Sequence, residues 1–507
     1  MAIPFYPVRW SATFRRSARL WAATPAYLIA LVLGLLLAII PLPVAAILFA
    51  GACLLLLIFL QPLVGVGFML LLAPFGALEN VIWGNTLFDS GQVLFLLTVA
   101  AWLALSVRRR RIVLPTTTLN VPLALFILVA SVTLLGAASL NYGLREVIKW
   151  LEVALVMLIA VDLVRRQRAS SESSPLLLAL PASAGSCLLA GLVLLSGLSQ
   201  ALIGIWQFAL RGTGPEHFQI LGGAFYRAYG TFEQPNPFGG FMAWITLLGL
   251  GGAVGVLMAW WERRRPFSTE WPWLLFTLAA GGAAGLALLA SWSRGAWLGF
   301  GAGLATVLFF WPRRRRWGLL ALFAGAALLL ALWQFNLLPS ALVSRTVGFA
   351  ADLRLGDVRG ADINDANYAV QERLAHWQAA VDMGRDHLWL GVGFGNYEPA
   401  YDDYALINWP YALGHAHNYY LNLLAETGIL GLAAYLVFWG AVLFQTVGTL
   451  RRLPWPDRGL ALGLLGAWIA LSVHHVLDKL YVNNLYLHLG VMLAILHTLQ
   501  RSDVQKV

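Results

Sequence analysis

The stretch Trp273–Trp311 reads WLLFTLAAGGAAGLALLA, SWSRG, AWLGFGAGLATVLFFW, and Arg294 is the one charged residue in it. Its two apolar runs do not alternate polar and apolar positions, which excludes the strands of a membrane β-barrel. Each run is close to the roughly 20 residues that a helix needs to cross a bilayer. The turn between them is too short to carry Arg294 far from the membrane boundary. Outward from this hairpin, similar runs recur at 25–40, 44–60, 62–78, 91–107, 119–137, 146–164, 184–208, 238–260, 317–335, 429–449, 459–477 and 485–499. Only 11% of the residues are charged and 60% are hydrophobic, whereas about a quarter are charged in soluble domains. The chain therefore reads as an all-α polytopic integral membrane protein of about 12–14 transmembrane helices.

Charge orients these helices. Basic clusters separate the runs at Arg108 to Arg111, Arg165-Arg166-Gln167-Arg168, Arg263 to Arg265, Arg313 to Arg316 and Arg451-Arg452. If the amino terminus is cytoplasmic and the spans alternate, 23 Lys and Arg fall inside and 11 outside, five of the latter in one long loop. That is the positive-inside asymmetry. The net charge of +10 is thus a topology signal, and no nucleic-acid partner is expected. Arg9, Arg15, Arg16 and Arg19 precede the first run without a small-residue cleavage site, so an uncleaved first helix is expected. Cys53 and Cys187 lie inside apolar runs and have no metal-type spacing. Three parts follow: residues 1–335 with eleven spans, a long periplasmic loop at 336–428, and C-terminal spans in 429–507.

Polar chemistry gathers in three outer segments. The first, 211–236, contains Tyr226-Arg227-Ala228-Tyr229-Gly230-Thr231-Phe232 and Asn236. The second is the turn Ser291-Trp292-Ser293-Arg294-Gly295. The third is the long loop, ending in Gly414-His415-Ala416-His417-Asn418-Tyr419-Tyr420-Leu421. A guanidinium at a membrane boundary is costly without an anion and binds phosphate through a planar fork of donors. The bland alternative for Arg227 and Arg294 is snorkelling to headgroups. His417 offers a side chain suited to taking a proton from a sugar hydroxyl, and an interfacial histidine that only bonds its neighbours is the alternative. His415, His417, His474, His475 and Asp478 follow no recognised zinc spacing, so neither metal nor cofactor is expected. Within the loop, Val370, Leu374, Trp377 and Val381 recur at helical spacing, predicting an amphipathic helix at the outer membrane surface over Tyr368–Met383. Asp352, Asp357, Asp362 and Asp365 before it read as solvated loop. Gly391-Val392-Gly393-Phe394-Gly395 follows no strand and reads as a turn rather than a nucleotide fingerprint.

In order, these motifs resemble the bacterial O-antigen ligase and polymerase superfamily of membrane glycosyltransferases. His417, Asn418, the nine residues Tyr419 to Thr427, Gly428, two residues and Gly431 match the superfamily's histidine motif. The Tyr226–Phe232 segment with Asn236-Pro237 resembles its first arginine motif, and Ser293-Arg294-Gly295-Ala296 its second. Glu372-Arg373-Leu374 with Trp377, then Gly391–Asn396, resemble the loop before the histidine, although Trp389 stands where the family often has proline. The likeness covers about 200 to 450. It implies a GT-C-like fold and metal-independent, inverting transfer of a glycan from undecaprenyl diphosphate to an acceptor such as lipid A core, as in lipopolysaccharide biosynthesis. It places the active site on the periplasmic side of the inner membrane. It further implies that Arg227 and Arg294 bind the diphosphate and that His417 activates the acceptor. His415, Asn418, Arg373 and Asp478 would play supporting parts. An O-antigen or exopolysaccharide polymerase of the same fold is the alternative. A polysaccharide or lipid-linked oligosaccharide transporter is a further one, although that class places charges at mid-span and these spans hold few.

Overall fold

The computed structural model describes Gly34 and residues 41–84, 88–110, 112–171, 184–263, 270–341, 343–345, 357–360, 363–364 and 367–504. Apart from Gly34, the expected span at 25–40 lies outside the described residues, as do the N-terminal arginines, Asp352, Asp362 and Asp365. Two units are present, residues 1–61 and 62–507. In the first, α1 (Leu42–Leu60) is an apolar helix opened by Pro41 and Pro43, at positions where helix N–H groups lack internal partners anyway.

The second unit is almost wholly helical. Its helices are α2 (Pro62–Leu72), α3 (Gly76–Trp83), α4 (Ser90–Arg108), α5 (Asn120–Val132), α6 (Leu140–Ser171) and α7 (Ala184–Ala209). A two-residue hairpin, β1 (Gln219–Ile220) with β2 (Phe225–Tyr226), interrupts them. Then follow α8 (Pro235–Arg263), α9 (Trp271–Ala290), α10 (Arg294–Phe310), α11 (Arg315–Gln334), α12 (Tyr368–Asp386), α13 (Tyr397–Ala400), α14 (Tyr419–Arg452), α15 (Asp457–His474) and α16 (Leu485–Val504). Among the described residues, eight helices are long and apolar enough to cross a membrane, and three shorter apolar ones accompany them. The chain is an all-α polytopic membrane protein, and each expected span from 44–60 onward falls on a helix.

Glycine sets how closely the central helices approach. In lipid there is no hydrophobic drive between helices, so small residues that let backbones touch supply the packing. Gly251 of α8 lies against Gly459 and Gly463 of α15, where an added Cβ would sit 2.4 Å from the Gly459 carbonyl. On the other side of α15, a Cβ on Gly299 of α10 would meet the Ala470 carbonyl at 2.6 Å, and one on Gly303 the Gly466 carbonyl at 2.5 Å. α15 is therefore gripped between α8 and α10. This brings Arg294, at the first turn of α10, beside the end of α15, where His474 leads to Asp478.

The long loop builds a core of its own. α12 forms where the spacing predicts a helix, but its apolar face is buried in protein rather than laid on the membrane. Val370 and Leu374 pack with Val358, Leu406 and Trp409, and Ala379, Ala380 and Met383 with Tyr397, Tyr401, Ala416 and Ala425. Helical periodicity identifies an apolar face without saying what covers it, and here the loop provides the cover. Asp357 is exposed, as expected of solvated loop.

Candidate active site

The first arginine motif is presented by the hairpin. Pairing of Gln219 with Tyr226 is followed by an Arg227 N–H donated to the Phe218 carbonyl. Arg227 then crosses to the second motif: its Nε donates to the Ser291 carbonyl at 2.9 Å and its Nη2 to Asn236 Oδ1 at 3.3 Å. The Ser293 hydroxyl donates to the same Asn236 oxygen at 2.9 Å, and Ser293 also caps α10. One small network thus fixes both arginine motifs. Arg227 and Arg294 line a single cavity of about 100 Å³ with Arg345, Arg373, His474 and Asp478. Burial, and then the charges of Arg345, Arg373 and Arg294, push the Arg227 pKa down to about 9. Burial and Arg373 depress that of Arg345 as well, and its buried Nε has no hydrogen-bond partner.

Asp478 joins this cavity to the histidine segment. Its Oδ1 lies 3.6 Å from His417 Nδ1 and 3.7 Å from His415 Nε2, and the same oxygen accepts the Lys479 N–H at 2.9 Å. Burial alone would raise the Asp478 pKa, but His417, His415 and His474 outweigh it and hold the carboxyl below its usual range. The Lys479 side chain turns away to Glu146, at 3.4 Å. Burial works against its charge, yet Glu146 and Glu426 keep its pKa high. Asp478 is thereby left to the two histidines.

The His417 backbone lies in the left-handed region (φ 51°), after Leu413 (φ 34°) and Gly414 (φ 79°). Such a conformation is rare away from glycine and must be held by its surroundings. The His417 N–H donates to His415 Nδ1 at 3.1 Å, Trp377 Nε1 donates to the His417 carbonyl at 3.3 Å, and the Ala416 N–H reaches Asn422. Asn418 caps α14, its Oδ1 accepting from the N–H groups of Tyr420 and Leu421. The helix breaks at Gly428 (φ 62°, ψ −166°), a conformation essentially confined to glycine. The Leu388 and Trp389 carbonyls accept the Ile429 and Leu430 N–H groups released there. Gly391, Gly393 and Gly395 all have positive φ, so the glycine-rich run is the expected turn, and it passes alongside the break.

His415, His417 and Asp478 each offer a ligand atom, and these atoms lie within 4.8 Å of one another. The Nδ1 of His415 already accepts a backbone N–H. Its ring proton therefore sits on Nε2, so that nitrogen faces Asp478 as a donor instead of a metal-binding lone pair.

The arginines, Asp478 and the histidines named from sequence thus form one continuous site. Arg373 lies on the cavity wall and Asn418 acts as a helix cap. Sequence reasoning missed Arg345, Lys479 and His376, the last with its ring centroid 5.8 Å from that of His417. Arg345 carried a signal, being one of few cations in the long loop, but no motif surrounded it. Compared with known families, residues 279–436 match the family described as O-antigen ligase. That region contains Arg294, Arg345, Arg373 and His417 and leaves Arg227 and Asp478 outside. A search of curated proteins finds no match.

Proposed function

We propose that the chain transfers a glycan from undecaprenyl diphosphate to an acceptor hydroxyl, a reading supported by the match of residues 279–436 to the family described as O-antigen ligase. The reaction takes place at the periplasmic face of the bacterial inner membrane. The observation that carries this reading is the cavity in which four arginines meet Asp478, the carboxylate beside His417. Paired guanidiniums recognise phosphate oxygens by bidentate hydrogen bonds. As the sugar–phosphate bond breaks, the departing diphosphate gains one negative charge, and donors already fixed in place stabilise it at little reorganisation cost.

His417 is the base. With its Nδ1 proton directed at Asp478, the Nε2 lone pair is left to take the acceptor's hydroxyl proton. The acceptor oxygen then bonds to the anomeric carbon while the bond to the diphosphate breaks, inverting that carbon. Asp478 orients the ring and stabilises the imidazolium, the part played by the carboxylate of a catalytic triad. The His417–Asp478 separation of 3.6 Å is long for a hydrogen bond, as is common before substrate closes a site.

The test is reconstitution in lipid nanodiscs with an undecaprenyl diphosphate-linked O-antigen unit. Glycan appearing on added lipid A core identifies a ligase, and donor that lengthens on its own identifies a polymerase. Movement of donor across a vesicle membrane with no new glycosidic bond would overturn the reading in favour of transport.

A further inference from the structure

We infer that His415 is a positioning residue that works from both ring nitrogens, hydrogen-bonding the His417 backbone with one and facing Asp478 with the other. The inference rests on the reading of His417 as the base. A neutral imidazole has one acceptor and one donor, and in His415 both have a destination. Nδ1 accepts the N–H of His417 at 3.1 Å. This bond closes a turn of the kind that Asn and Asp side chains make two residues on. It helps hold His417 at its positive φ. The proton is consequently on Nε2, which faces Asp478 Oδ1 at 3.7 Å. The two rings meet edge to face, with centroids 4.5 Å apart.

The charge state agrees with this geometry. Burial above all, then His417, pushes the His415 pKa down to about 3, and the ring stays neutral at any physiological pH. A neutral ring keeps its Nδ1 lone pair, which an imidazolium would lose. His415 thus presents the base and its carboxylate partner to each other without exchanging a proton with either.

Two substitutions separate the two ends. His415→Asn keeps an acceptor near the Nδ1 position, and His415→Gln keeps a donor near Nε2. His415→Ala keeps neither. In the nanodisc assay, His415→Ala should lower kcat about 10- to 100-fold, the usual effect of removing a partner that orients a catalytic group, with the KM values of donor and acceptor unchanged. His415→Asn and His415→Gln should each recover part of kcat. A donor-induced rise in Tm equal to that of the wild type shows that each variant is folded. The inference is overturned by a wild-type kcat in His415→Ala, by a defect confined to KM, or by complete recovery in His415→Asn. That last result would leave Nε2 without a part. Undiminished transfer by His417→Ala would overturn the base assignment itself, and this inference with it.

Discussion

Arg227 holds its charge at a disadvantage. Its pKa is pushed down to about 9 by burial and three neighbouring arginines, so the fold penalises the protonated form at every pH below that value. Free of ligand, stability should rise as pH climbs through about 9 and the proton leaves. A bound anion removes the penalty instead. Inorganic diphosphate should therefore raise Tm at neutral pH, and the increment should shrink as pH rises past about 9, as read by thermal shift. A diphosphate increment that does not change with pH would remove Arg227 from the anion site. Arg294→Lys should abolish most transfer, because a point charge lacks the bidentate fork; near-normal activity would show that geometry there is unimportant. His417→Ala should lose about 10²- to 10⁴-fold in kcat, the usual contribution of a general base.

At the scale of elements, glycines decide which backbones touch. Gly428→Ala combines a conformation closed to alanine, worth about 1–3 kcal/mol, with a Cβ 2.4 Å from the Trp389 backbone. A lowered Tm together with lost transfer is expected, and a variant of normal stability would mean that α14 need not break there. Gly299→Leu should wedge α10 from α15 and cost activity through Arg294, as a fall in kcat measured on folded protein. Some of this was legible beforehand. The histidine motif named Gly428, but the sequence could not say that Leu388 and Trp389 fill the gap it leaves. The apolar run marked a helix from 429, whereas α14 starts ten residues earlier at Tyr419. Its first turns are mixed in polarity, and the one local signal is the Asn418 cap. The α12 face was legible as apolar, yet its partners Tyr397 and Tyr401 sit in single helical turns and Trp409 in irregular chain, none long enough to show a periodicity.

For the whole molecule, membrane topology is the property most open to test. Ile407 is almost fully exposed in the long loop, so Ile407→Cys should react with a membrane-impermeant thiol reagent in spheroplasts. Thr116→Cys, between α4 and α5, should react only after lysis. The reverse pattern would invert the orientation derived from the arginine clusters. Hydropathy made the spans legible because the bilayer imposes one length and one polarity on each of them. It could not show that residues 227, 294, 345, 373, 417 and 478 adjoin, since that depends on helices gripping one another through glycine. One consequence concerns distance. Between the Asn418 cap and the break at Gly428 lie nine helical residues, which at about 1.5 Å each span roughly 14 Å. This segment acts as a ruler, with His417 just before one end and the deflection of α14 at the other. One inserted residue would lift the histidine by about 1.5 Å and swing it by roughly 100° about the helix axis, away from Asp478. The residue interval in the motif is therefore a length and an angle at once.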